Sequence, residues 1–311
     1  MSHAKVPLHR PDLSVLSDPD FWRIADASLL VHSPIAAWDH ATCREFVRAA
    51  VDGNTLPGPE LVAANMRLVM WEAQLGITQT TSFPYTVALP LTDVCNARCA
   101  FCAYIPERVL GRSTGIREFE RLDWLKFVSA LNLNCGLGEP LMHRDFAQIL
   151  AFLRKVAPHL RMSLISNASK LDSVNVDAMV GYLGSLKASI NATRKETYER
   201  TMKISWSQTI DGLKRLRDRK VELGSTLPIV RLSFVLHREN IDEILEAPAL
   251  AREVGARSLN LFNMVPVQRR WSERYDRLMT AQDTIEADYD RALPIMRQFK
   301  AECARQGISI F

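Results

Sequence analysis

A chain of 311 residues, 47% of them hydrophobic, has enough apolar surface for one large core or for a core with an appendage. Its mean hydropathy of -0.06 and the lack of any unbroken apolar run of spanning length argue against an integral helical membrane protein. The net charge of +4 is uneven: residues 1–83 hold 6 Lys and Arg against 9 Asp and Glu, the remainder 33 against 26, a balance that suits an anionic small substrate but is explained more simply by an ordinary solvated surface.

The opening MSHAKVPLHRPDLS has no apolar segment after its first basic residue, so no signal peptide is read and a cytoplasmic location is expected. Asp18 and Pro19 form a helix start before FWRIADASLLV, where Phe21, Trp22, Ala25 and Leu29 share a stripe. ATCREFVRAAV, closed by Gly53, and LVAANMRLVMWEAQL, closed by Gly76, predict two further helices. TQTTSFP reads as a linker, which makes residues 1–83 a helical N-terminal domain.

From Tyr85 the rhythm changes. Six short apolar or alternating runs, YTVALPL, SALNLNC, RMSLISN, SLKASIN, IVRLSFVL and SLNLFNMV, are separated by helix patterns such as FAQILAFLRKVAP, NVDAMVGYLG, SWSQTIDGLKRLRDR and IDEILEAPALAREVG. Such alternation implies parallel strands joined by right-handed crossovers. The fold class is therefore α/β. Six units are too few for a closed eight-stranded barrel, so a partial (β/α)6 barrel over residues 84–266 is expected, with a doubly wound sheet as the alternative. In either, chemistry belongs at the carboxyl ends of the strands. Residues 267–311 are expected to form a C-terminal helical extension or the start of a further domain.

The first strand runs directly into CNARCAFC, which places Cys95, Cys99 and Cys102 in one loop of a chain with six cysteines. Without an export signal these thiols stay reduced, and metal binding or catalysis explains the cluster better than disulfides. Thiolates suit zinc or iron and sulfur. Zinc with Cys135 as fourth ligand is one reading. The other is a four-iron four-sulfur (4Fe-4S) cluster, which ordinarily takes four cysteines and here would keep one iron open.

The C-x3-C-x2-C spacing after a first strand resembles the signature of the radical S-adenosylmethionine (radical SAM) superfamily. Phe101 matches the aromatic that packs near the adenine in that family. GLGEPLMHRD after the second strand is similar to its Gly-Gly-Glu-Pro element, SNAS after the third resembles its Ser/Thr-Asn-Gly turn, and the fourth carries SINA. The likeness covers about residues 84–266. It implies that the three cysteines bind a 4Fe-4S cluster whose fourth iron is chelated by S-adenosylmethionine. The electron that cleaves this cofactor to a 5′-deoxyadenosyl radical is then expected from a reductant such as flavodoxin or ferredoxin.

The resemblance also assigns cofactor contacts. Gly136, Gly138, Glu139 and Pro140 would meet the methionine amino group through backbone carbonyls, with Glu139 ordering the loop rather than moving a proton. Ser166 and Asn167 would lie beside the ribose, Ser189 near the ribose or carboxylate, and Arg200, backed by Lys203, would pair with that carboxylate. Leu137 between the glycines, Ala168 where Gly is usual and Asn191 where Asp is frequent depart from the commoner pattern.

Substrate groups are expected at the last strand ends. His237, with Tyr104, is the catalytic candidate because imidazole titrates near neutral pH, and Arg238, Asn263, Met264 and Cys135 stand near the same mouth. Only Cys303 follows the barrel, whereas relatives with auxiliary clusters carry several cysteines there. No Asp-x-His-x-x-Gly cobalamin motif occurs, and the first 80 residues lack the strand pattern of a leader-peptide-binding domain. The expected substrate is a small polar metabolite, such as a sugar, nucleoside or similar natural-product precursor, with a lyase, decarboxylase, epimerase or dehydrogenase outcome. Gly307 leads into ISIF, which reads as the beginning of a strand. If the protein continues there, the lack of later cysteines carries no weight and a peptide maturase becomes the alternative. A non-catalytic iron-sulfur or zinc protein is a further one. QRRWSERYDR mixes basic and aromatic residues, but Glu273 and Asp276 interrupt it and no nucleic-acid partner is expected.

Overall fold

The computed structural model describes residues 34–53, 58–102, 111–134, 138–266 and 278–311. They divide into two compact units: the residues up to Tyr85 together with Lys126–Ala130, and Thr86–Leu125 together with Leu131–Phe311.

The first unit contains α1 (His40–Val51) and α2 (Pro59–Gln74). Asp39 caps α1 by accepting the Thr42 N–H at 2.8 Å, and Pro59 opens α2 where no N–H is needed. Cys43, Val47 and Ala50 of α1 and Leu61, Ala64 and Leu68 of α2 are buried. Both expected helices are thus formed; FWRIADASLLV lies outside the described residues. Asn65 is a buried polar tie. Its Nδ2 donates to the carbonyls of Phe83 and Phe127 at 2.9 and 3.1 Å, and its Oδ1 accepts the Phe83 N–H at 2.8 Å. The rings of Phe83 and Phe127 stack with centroids 4.1 Å apart. Asn65 thereby fastens the five-residue return segment, Lys126–Ala130, to the helices.

The second unit is built on β1 (Thr86–Ala88), β2 (Ala130–Asn132), β3 (Arg161–Ser166), β4 (Ser185–Ser189), β5 (Ile229–Leu236), β6 (Ser258–Asn263) and β7 (Ser309–Ile310). They lie side by side in chain order, and β3 to β7 pair in parallel. Between and after them come α3 (Ile116–Phe119), α4 (Phe146–Val156), α5 (Ser173–Met179), α6 (Lys195–Met202), α7 (Trp206–Glu222), α8 (Ala247–Glu253) and α9 (Tyr289–Gln306). A doubly wound sheet reverses strand order at its centre. This one does not, so it is the open sheet of a partial barrel.

Burial alternates along the strands. Met162, Leu164, Leu186 and Ala188 are closed off by the core, while Ser163, Ile165, Ser185, Lys187 and Ser189 are half-buried on the other, inner face. That alternation made the strands legible, because a fully covered parallel sheet would read as continuous apolar runs.

The strand start read in ISIF is formed: β7 pairs with β6 and, with α9, closes the sheet edge. Two features differ from expectation. Helix α6 fills a stretch, KETYERTM, too polar to display a stripe, although Thr197, Tyr198, Thr201 and Met202 are buried. IDEILEAPALAREVG begins as a 3-10 turn over Ile241–Glu246 and becomes α8 only at Ala247, because Pro248 has no N–H for a continuous α ladder. No described helix is long and apolar enough to cross a membrane.

Replacing Asn65 by Ala deletes three hydrogen bonds and strands buried backbone groups of Phe83 and Phe127. The expected loss is about 2–4 kcal/mol in a urea unfolding transition reported by the first unit. A loss below about 0.5 kcal/mol would show that the tie is not structural.

Candidate cluster and cofactor site

The cysteine loop is held from several strand ends at once. The N–H groups of Arg98 and Ala100 donate to the carbonyls of Met202 and Thr201 at 3.2 and 2.8 Å, at the end of α6. The Met279 N–H donates to the Ala100 carbonyl at 2.8 Å, and Ala100, Met264 and Met279 share a buried apolar cluster against which Phe101 packs. Asn96 Nδ2 donates to Ser169 Oγ at 2.9 Å while its Oδ1 accepts from Asn167 Nδ2 at 3.0 Å. Phe101 lies against His237 just after β5, with ring centroids 5.6 Å apart.

The three thiols are partly buried. Burial pushes Cys95 up to about 11, although the Ala97 N–H and the Asn167 side chain reach its sulfur. Burial, and then the neighbouring Cys102 and Cys95, holds Cys99 well above the usual thiol range. An activated nucleophile needs the opposite shift. Cys95 and Cys99, buried thiols that resist ionisation, become stable thiolates when a bound cationic centre supplies the missing charge. Among the described residues no three His, Cys, Asp or Glu are gathered as ligands of a single ion. A 4Fe-4S cube takes one sulfur per iron, and the three cysteines fit three of its corners; the zinc reading needs Cys135, which lies outside the described residues.

After β2, Gly138 adopts φ +70°, and a Cβ there would stand 2.1 Å from the Thr92 carbonyl oxygen, so this close approach to the segment leading into Cys95 requires glycine. Glu139 is 1% exposed. Its N–H donates to the Val94 carbonyl at 2.7 Å; its Oε1 accepts from Leu141 N–H at 3.0 Å and Ser166 Oγ at 2.6 Å, and its Oε2 from Asn167 N–H at 2.6 Å. Burial pushes this carboxyl up against the pull of those donors. Glu139 is thus a brace between two loops, with Pro140 opening a buried 3-10 turn behind it.

The Ser166 hydroxyl donates a hydrogen bond to Glu139 and accepts the Ala168 N–H at 2.8 Å. The Asn167 side chain joins Asn96 to Ser169, accepting from Ser169 N–H and Oγ. Ala168 has φ 60° and Asn191 φ 58°. The turn's left-handed backbone is therefore kept although the usual Gly is missing, at a cost of about 1–2 kcal/mol for Ala.

Ser189 ends β4 in register with Ser233. Arg200 is turned towards Glu239, with Nε and Nη2 each 3.0 Å from Oε2, and is about half exposed. Lys203 is the left-handed cap of α6. His237 is fully buried, and its Nδ1 accepts the Glu239 N–H at 3.2 Å, so in this arrangement Nε2 carries the ring hydrogen. Asn240 secures the turn: its Oδ1 accepts the His237 N–H, and its Nδ2 donates to the carbonyls of Asn191 and Val235, each at 2.8 Å. Tyr104, Cys135, Gly136, Leu137 and QRRWSERYDR lie outside the described residues. Sequence reasoning missed Asn96, Thr201, Met202 and Asn240. Only Asn96, adjacent to Cys95, carried a positional signal.

A family model described as the Radical SAM superfamily matches residues 89–251. A probable GTP 3',8-cyclase of Saccharolobus islandicus is 25% identical over 183 residues, 58% of this chain and 56% of that protein. PqqA peptide cyclase of Gluconobacter oxydans is 25% identical over 239 residues, 73% of this chain and 60% of that protein. The chain thus spans little more than half the length of the curated relatives it matches. Among solved structures, SuiB of Streptococcus suis bound to its precursor peptide SuiA superposes with a TM-score of 0.56 over 83% of this chain and 55% of that one, at 15% identity. That likeness concerns the fold.

Two substitutions probe the brace. Gly138→Ala forces the Thr92 segment to move, and the expected result is a chain that does not retain iron after reconstitution, read as iron per chain. Glu139→Gln places an NH2 against a donor that now points at a carboxylate oxygen, and thermal unfolding should register a loss of about 2–4 kcal/mol. Unchanged iron content in the first, or stability in the second, would dismiss the brace.

Proposed function

This chain belongs to the radical SAM superfamily, and from that premise we propose that it removes a hydrogen atom from a small polar metabolite, with a lyase, decarboxylase, epimerase or dehydrogenase outcome. The protein is an enzyme, and a 4Fe-4S cluster and S-adenosylmethionine are its cofactors. When bound, they supply a 5′-deoxyadenosyl radical generated with one electron from a reductant such as flavodoxin or ferredoxin.

In this reading Cys95, Cys99 and Cys102 hold three iron corners. The backbone of Gly136, Gly138 and Pro140 faces the methionine end of the cofactor, and Glu139 keeps that backbone in place. Ser166, Asn167 and Ser189 line the ribose side, and Phe101 lines the adenine side. Arg200 serves the carboxylate only by turning from Glu239, its partner here. His237 and Tyr104 meet the substrate. The observation that carries the reading is the convergence of the cysteine loop on the strand ends, with Phe101 set against His237. Positioning is then the main catalytic contribution of the protein, an effect worth about 7–11 kcal/mol when reacting atoms are held at contact distance.

The alternative is modification of a peptide. PqqA peptide cyclase is a relative, and the fold resembles SuiB, which was solved with its precursor peptide. The probable GTP 3',8-cyclase relative favours a small metabolite.

Anaerobically reconstituted protein given S-adenosylmethionine and dithionite should release 5′-deoxyadenosine, and replacing Cys95, Cys99 or Cys102 by Ala should abolish both that product and the iron-sulfur absorbance. Yield that rises with a cytosolic small-molecule fraction supports the metabolite reading; yield that rises only with a peptide fraction transfers it to peptide modification. Stoichiometric zinc in the anaerobic protein, with no iron, would end both.

A further inference from the structure

The inner face of the sheet carries charges that the cluster does not use. Lys187, in the middle of β4, is in register with Arg231 of β5, and both alternate with neighbours buried on the opposite face. Lys187 Nζ lies 5.3 Å from the centre of the Phe262 ring, and Arg231 Cζ 5.6 Å from that of Phe311. Two rings on the same face thus keep two neighbouring cations extended. Burial first, and the guanidinium of Arg231 second, holds the Lys187 amine below its usual range.

A second observation points to a ligand. Asn260 of β6 is in register with Ser233, two residues beyond Arg231 on the same face. It is 9% exposed, and its Oδ1 has no hydrogen-bond partner among the described residues. A buried amide oxygen without a donor costs free energy that a hydroxyl or amino group of a ligand recovers.

We propose that Lys187 and Arg231, with Asn260 beside them, form an oxyanion subsite within the partial barrel that binds a phosphate or carboxylate group of the substrate. This rests on the reading that the substrate occupies the inner face. Phe262 pairs with Val235, two residues before His237, so the Lys187 ammonium is drawn towards the mouth, while the paired Cα atoms of Lys187 and Arg231 stand at a level six residues before His237, about 20 Å along β5. A substrate anchored by its anion has its other end at Phe101 and His237. The class is therefore an elongated anionic metabolite with a hydroxyl or amine near its charge.

The test is acylation of lysines by an amine-reactive ester on the cluster-loaded protein, read by peptide mass spectrometry, with inorganic pyrophosphate, citrate or S-adenosylmethionine in separate arms. Pyrophosphate, citrate or both should slow acylation of Lys187 about tenfold while Lys214, a surface partner of Glu253, is unchanged. Protection by one anion alone assigns the group as phosphate or carboxylate. Arg231→Gln should lose the protection and Arg231→Lys should keep it. Absence of protection by either anion, protection that survives Arg231→Gln, or equal protection by S-adenosylmethionine alone overturns the subsite. Because no turnover is read, protection without any 5′-deoxyadenosine formation would leave the subsite standing and remove the proposed reaction.

Discussion

The buried carboxylate of Glu139 is the constraint on which the site depends. It collects the Leu141 and Asn167 N–H groups and the Ser166 hydroxyl, and its own N–H holds the Val94 carbonyl, one residue before Cys95. One residue thus sets the loop after β2, the end of β3 and the entry to the cysteine loop relative to one another. Such a group stays stable in a dry setting only because every direction around it holds a donor; removing any one leaves charge without compensation. Its upward-shifted carboxyl marks that balance between desolvation and donors, and structural demand rather than proton transfer accounts for it.

Around this brace the molecule separates two environments. The outer face of the strands is closed by apolar packing, and the inner face is polar, cationic towards β4 and β5, and edged by aromatic rings. Chemistry that releases a reactive radical needs a rigid mouth and few side reactions. The backbone hydrogen bonds from the cysteine loop to the end of α6, together with the buried Asn240 side chain that bridges Asn191 and β5, supply rigidity there.

The strands and the cysteine loop were legible because their signals are local. An alternating run reports one covered and one open face, and three cysteines in eight residues report a shared ligand. Helix α6 was not legible, since its buried positions are Thr, Tyr and Met amid charge. Nor was the pairing of Arg200 with Glu239, 39 residues away, which folding alone brings together. Ala168 and Asn191 are instructive in another way. As departures from the commoner pattern they carried no sign of backbone shape in the sequence, yet both adopt a left-handed φ.

The return of Lys126–Ala130 to the first unit makes the chain cross between the two units more than once. A module joined at one junction can be gained, lost or exchanged by a single genetic recombination; here such a breakpoint after Tyr85 would separate Asn65 from the Phe127 carbonyl it holds. Homologous swaps that preserve folding must therefore carry both segments together.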